Sequence, residues 1–166
     1  MEHRRQVSRI LHDEHVAVIG LLERFSAFLT ATGSSTSDLG APAAQRMLSE
    51  IAGAVETEIT THFSFEEQDL FPVLDEAGYG DLGESLTEDH KVILPMGREL
   101  AESARAGIAG GFTDESWSTF RRVGSEFAER LIDHARNEET GLLPVMELAL
   151  DEETDMRLAG DYAMKR

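Results

Sequence analysis

Cysteine is absent from this chain of 166 residues, which removes disulfides, thiolate zinc sites, iron–sulfur ligation and cysteine nucleophiles together. Positive charge is scarce: 15 Lys and Arg stand against 32 Asp and Glu, for a formal net charge of -17. A chain so poor in basic residues has no patch with which to neutralise phosphate, so neither nucleic acid nor an anionic membrane surface is an expected partner. The acidity itself reads either as a solvated surface or as an attraction for cations. Long apolar runs are missing too, none approaching the roughly 18 residues of a membrane span. No signal-peptide-like apolar stretch follows Met1-Glu2-His3-Arg4-Arg5, and a cytosolic location is the expectation.

What remains is enough for one domain with a sizeable core, residues 1–166. No stretch alternates with period two for long enough to make a strand, whereas apolar residues recur at helical spacing in four long stretches. The first runs from about Arg5 to Thr30, and a crossing loop follows from Ala31 to Pro42. The second spans about Ala43 to Ala77 and ends at Gly78-Tyr79-Gly80; the third spans Asp81 to Ala106, with Pro95 expected to kink or split it. Gly107 to Gly111 reads as a breaker before a fourth helix, from Asp114 as N-cap to Leu150. A short last helix, Asp151 to Met164, is expected outside or capping the others. The fold class is therefore all-α, an up-down-up-down four-helix bundle with an additional short C-terminal helix.

Two segments repeat one another. His62-Phe63-Ser64-Phe65-Glu66-Glu67 leads to Leu70-Phe71-Pro72-Val73, and His134-Ala135-Arg136-Asn137-Glu138-Glu139 leads to Leu142-Leu143-Pro144-Val145. A His and a Glu four residues apart share one face of a helix, one turn from each other. Each proline is expected to end or bend its helix within a turn of that pair. The repeat extends upstream: Leu11-His12-Asp13-Glu14-His15 answers Leu86-Thr87-Glu88-Asp89-His90, each with Leu four residues before a His and an acidic residue beside it. The chain reads as two helical hairpins, each giving one His from its first helix and a His-Glu pair from its second.

Placed at one height, His15, His62, His90 and His134 converge with Glu66 and Glu138 in the core. Without a ligand these groups would cost on the order of 1–3 kcal/mol each to bury. Lacking thiolates, such a set suits iron, manganese or zinc. Four imidazoles and two carboxylates can hold two irons with positions to spare. If both carboxylates bridge, each ion has two His nitrogens and two carboxylate oxygens, an oxo or hydroxo bridge makes five, and a sixth position is open to oxygen, peroxide or nitric oxide. Nearby apolar residues, among them Ile19, Ile59, Phe65, Leu86, Leu94 and Leu131, would limit water and tune potential. A single His-x-x-x-Glu is more often a surface pair; two copies with the same tail and an upstream His point to metal.

From about Ile10 to Met146 the chain resembles the hemerythrin family, in its HHE cation-binding branch. That resemblance implies His15, His62, Glu66, His90, His134 and Glu138 as metal ligands. It further implies that His15 and His62 share one iron, His90 and His134 the other, and that Glu66 and Glu138 bridge them. Oxygen carriers of the family have a His-x-x-x-His pair on the third helix, where this chain has Leu86 and Leu94 four residues either side of His90. They also have His-x-x-x-x-Asp on the fourth, against His134 and Glu138 here. These departures argue against reversible oxygen transport. Ferritin-like Glu-x-x-His pairs are absent as well, since no Glu stands three residues before any of the four histidines.

Three residues outside the set have open roles. His12 is either a partly exposed helix residue or a neighbour that completes one ion or supplies a proton, and Glu67 and Glu139 are either solvated or acceptors for imidazole N–H groups. His3 reads as a terminal bystander, and no catalytic residue beyond the metal centre stands out. The functional expectation is a non-haem di-iron protein that senses or consumes a small oxidant. The alternatives are an iron-storing or iron-sensing bundle without turnover, and a metal-free interaction scaffold.

Overall fold

The computed structural model describes residues 4–166, so His3 lies outside the described residues. Helix α1 is Gln6–Thr32, α2 covers residues 42–76, α3 is Gly80–Gly110, α4 covers residues 114–149 and α5 is Glu152–Ala163. No strand occurs among the described residues, and none of the helices is long and apolar enough to cross a membrane. Helices α1 to α4 pack as a ring of neighbours, α1 on α2, α2 on α3, α3 on α4 and α4 back on α1. This is the expected up-down-up-down bundle, with α5 laid against α1.

The core is divided in two. One apolar cluster, built on Phe25, Leu48, Ile51, Trp117, Phe120 and Phe127, fills the end nearer the loop between α1 and α2. The other, built on Leu11, Phe65, Leu74, Met146, Leu158 and Tyr162, fills the opposite end and is completed by α5. The histidines stand between them, so the polar layer is sealed from both ends by side chains that water does not penetrate.

Helix boundaries correct several expectations. Pro95 neither ends nor splits α3. It is exposed, as is Lys91 four residues before it, so the carbonyl deprived of its N–H partner can turn to solvent. Pro72 and Pro144 do not end their helices either. Each is preceded by a π-helical turn, Glu66–Leu70 and Glu138–Leu142, in which the N–H of Phe71 donates to the carbonyl of Glu66 and that of Leu143 to the carbonyl of Glu138. The wider turn takes up the clash that a proline ring makes with the preceding turn. Both π turns begin at the Glu of the repeated motif.

Gly107 is helical, not a breaker: the Phe112 ring lies where its Cβ would be, so glycine is there for close packing. The helix stops at Gly111, whose φ of 80° suits glycine. The N-cap of α4 is Thr113, whose side chain accepts from the Ser116 N–H while Ser116 Oγ accepts from the Thr113 N–H. Asp114 is the first helical residue, where its charge suits the helix dipole.

Helix α1 begins without a cap of its own. Asp155 of α5 supplies one, accepting the N–H groups of Gln6 and Val7 at 2.8 and 3.0 Å. Glu147 accepts those of Arg4 and Arg5, both at 3.1 Å. Asp155→Ala should therefore cost about 1–2 kcal/mol, the usual loss for an N-cap, read as a lower denaturant midpoint. An unchanged midpoint would show that α5 is not what secures the start of α1.

Candidate metal centre

Each of α1 to α4 carries one of the four histidines into the layer between the apolar clusters, and all four are buried. Glu66 and Glu138, 0% and 1% exposed, rise from α2 and α4 into the same layer. Two groups form. In one, His15 and His62 face Glu66 and Glu138; in the other, His90 and His134 face the same two carboxylates, and the donor atoms of each group lie within 4.8 Å of one another. Glu138 Oε2 is 2.9 Å from His15 Nε2 and Glu138 Oε1 is 2.9 Å from His134 Nε2, so one carboxylate reaches both groups. Glu66 does likewise, at 3.1 Å from His62 Nε2 and 3.4 Å from His90 Nε2.

The outward nitrogens are held by a second set of carboxylates. His15 Nδ1 donates to Glu139 at 2.7 Å, His62 Nδ1 to Glu14 at 2.7 Å, His90 Nδ1 to Glu67 at 2.8 Å and His134 Nδ1 to Asp89 at 3.4 Å. The pattern is cyclic: α1 holds the histidine of α2, α2 that of α3, α3 that of α4, and α4 that of α1. With the proton on Nδ1, every Nε2 presents a lone pair to the centre of the bundle.

Those inward atoms lack partners. His15 Nε2, both oxygens of Glu66 and Oε1 of Glu138 are buried without a hydrogen bond. His90 Nε2 and His134 Nε2 stand 3.1 Å apart. Two lone pairs at that separation need a positive charge between or beside them, either a proton or a metal ion. The protein without metal meets the need with protons. Burial opposes charge on His90, yet the nearby carboxylates of Glu138 and Glu66 raise its pKa to about 9. Burial likewise opposes charge on His62, but Glu66 and Glu138 hold its pKa well above the ordinary value. For Glu138, burial is outweighed by His134, His15 and the other imidazoles, which keep the carboxyl well below its usual range. The donor chemistry, four nitrogens and two carboxylates with buried unpartnered atoms among them, fits the binding of metal cations.

A cavity of about 650 Å³ opens between α1 and α2 and reaches the layer at His15, His62, His134 and Glu138. Val18, Ile59, Phe63 and Leu131 give it an apolar wall. His90 is not among its lining residues, being covered by Phe63, stacked on it at 3.7 Å, and by Phe71 at 6.0 Å. Of the apolar residues expected near the centre, Ile59 and Leu131 line this cavity. Ile19, Phe65, Leu86 and Leu94 do not.

The six residues singled out in the sequence are all brought together. His12 stands outside both groups, 40% exposed, with Nδ1 on the second oxygen of Glu139 at 2.9 Å. Glu67 and Glu139 are acceptors for imidazole N–H groups. Sequence reasoning gave no role to Glu14 and Asp89, although the repeat had shown an acidic residue beside each first-helix histidine. It did not place Tyr162, whose O–H donates to Glu14 at 2.7 Å. Burial, more than its bond to Glu14, holds that phenol protonated, its pKa raised above the ordinary value.

Fold and site together define a four-helix bundle with a buried histidine–carboxylate layer suited to binding cations. The chain belongs to the hemerythrin family: the model for the hemerythrin HHE cation-binding domain matches residues 6–146. Comparison with curated proteins gives no match.

Proposed function

We propose that the chain is a non-haem di-iron protein that reacts with a small oxidant, such as oxygen, peroxide or nitric oxide, as a sensor or a detoxifying redox protein. The observation that carries this reading is the pair of ligand groups sharing Glu66 and Glu138, each with unpartnered buried donor atoms, beside a cavity that reaches His15, His62, His134 and Glu138. Nitrogen and carboxylate donors without thiolate suit iron, with manganese and zinc as substitutes. Iron bound there supplies redox steps and open positions for a small ligand.

The chain's own residues do the rest. His15, His62, His90 and His134 present Nε2, while Glu139, Glu14, Glu67 and Asp89 hold the rings in one tautomer and orientation and raise their basicity as donors. Glu66 and Glu138, shared by both groups, couple the two positions. Val18, Ile59 and Leu131 limit water beside the His15–His62 half, and Phe63 and Phe71 close the His90 side.

Elemental analysis of the freshly purified protein should find close to two irons per chain. Mixing the reduced, loaded protein with peroxide, oxygen or nitric oxide should then change its optical spectrum within the mixing time for at least one of the three. Two bound irons inert to all three would replace this reading with iron storage or sensing. No metal after reconstitution with iron would remove the metal reading altogether.

A further inference from the structure

We propose that Tyr162 is a positioning residue for His62, and that α5 thereby makes the His15–His62 half of the centre the tighter of its two cation sites. The inference rests on the two-ion reading above but assigns a role to a helix outside the matched residues 6–146.

The internal repeat makes the two halves equivalent in their inward donors. Their outer carboxylates differ. Glu14 and Asp89 occupy corresponding places, each next to a histidine and each facing the histidine of the following helix. Glu14 is held from three sides: Oε2 accepts from His62 Nδ1 and from Tyr162 Oη, both at 2.7 Å, and Oε1 pairs with Arg166 Nε at 3.2 Å. Asp89 lies 3.4 Å from His134 Nδ1 and is 50% exposed, against 21% for Glu14. The same difference runs through the other two acceptors. Glu139 meets His15 at 2.7 Å and is 24% exposed, whereas Glu67 meets His90 at 2.8 Å and is 41% exposed.

Tyr162 is itself fixed. It is 1% exposed, and its ring stacks on Phe65 at 4.2 Å, three residues along α2 from His62. The phenol therefore arrives at Glu14 from a surface that moves with the histidine it serves. A carboxylate so held keeps its lone pair on the His62 N–H and does not exchange it for water. The His62 ring then pays less ordering entropy on meeting a cation, and its Nε2 is a better donor. Asp89, half in solvent, gives His134 neither advantage. Nothing in α3 or α4 repeats α5, so the difference between Glu14 and Asp89 comes from the C-terminal segment, whereas Glu139 owes its second partner to His12 of α1.

The test is a stepwise titration of the metal-free full-length chain with Co(II), followed by its visible absorption in the presence of a competing chelator. The wild-type chain should load in two resolved steps. Tyr162→Phe keeps the stack on Phe65 and removes only the hydroxyl. It should weaken the first step by about tenfold to a hundredfold, the usual effect of losing such an outer partner, and leave the second where it was, so that the two merge. Leu158→Ala, in the same helix but against the apolar cluster, should lower stability and leave the steps apart. In His15→Ala the one remaining ion should titrate at the weaker step. Resolved, unshifted steps in Tyr162→Phe would overturn the inference, as would merging in Leu158→Ala or a surviving tight step in His15→Ala. If Tyr162→Phe does not fold, Glu14→Gln gives the same reading. A wild-type chain that takes fewer than two ions would instead defeat the two-ion reading itself.

Discussion

Glu138→Ala is expected to empty both halves of the centre at once, whereas His15→Ala empties one. Glu138 belongs to both ligand groups and places an oxygen 2.9 Å from a histidine of each; His15 belongs to one group only. Removing the carboxylate takes a donor from both positions. It also removes a buried negative charge that faces both cation positions, and an unbalanced buried charge is costly. Metal analysis after dialysis should give about two ions for the wild type, background for Glu138→Ala and about one for His15→Ala, a contrast that follows from the sharing just described. Two ions retained by Glu138→Ala would show that the carboxylate is not a ligand.

The second large effect concerns stability. Cations bound in the native layer and nowhere in the unfolded chain stabilise by mass action, roughly 4 kcal/mol for each site at a thousandfold excess over its dissociation constant. Chelation should therefore lower the denaturant midpoint sharply. It should also change how stability depends on pH. In the metal-free chain His90 has its pKa raised to about 9, and His62 and His15 are raised too. Groups raised on folding contribute stability that is complete below the unfolded histidine value, about 6.5, and is lost as pH climbs through the folded value. Glu66 and Glu138 are lowered, so their contribution is present above the unfolded carboxylate range and fades as pH falls through their folded values. The metal-free protein should thus lose stability between about pH 6.5 and 9. The loaded protein, in which cations replace those protons, should not. Denaturation curves at several pH values with and without chelator measure the gap, and a gap that does not widen toward alkaline pH would contradict the assignment.

The repeat made much of this legible before any coordinates. Helix period gave the bundle, the doubled His-x-x-x-Glu gave four of the six central residues and the upstream Leu-x-x-x-His repeat gave His15 and His90, because each of these patterns lies within a single helix. The outer carboxylates were harder to read because each serves a histidine on a different helix. Glu14 stands beside His15 in the chain but holds His62, and that pairing depends on how neighbouring helices are rotated toward one another. Tyr162 carried no signal, since α5 has no counterpart in the repeat. Pro72 and Pro144, expected to end or bend their helices, do not end them for a local reason: the π turns opening at Glu66 and Glu138 make room for them.

The cyclic order of the outer carboxylates has a bearing on assembly. The first hairpin holds His15 and His62 but draws the acceptor for His15 from Glu139, and its group needs Glu138 as well, both on α4. The second holds His90 and His134 but draws Glu67 and Glu66 from α2. Neither hairpin contains a complete half of the centre. The cation site is a clasp that closes only when the two are docked, so cutting the connection at residues 77–79 would leave two pieces that regain it only by finding each other.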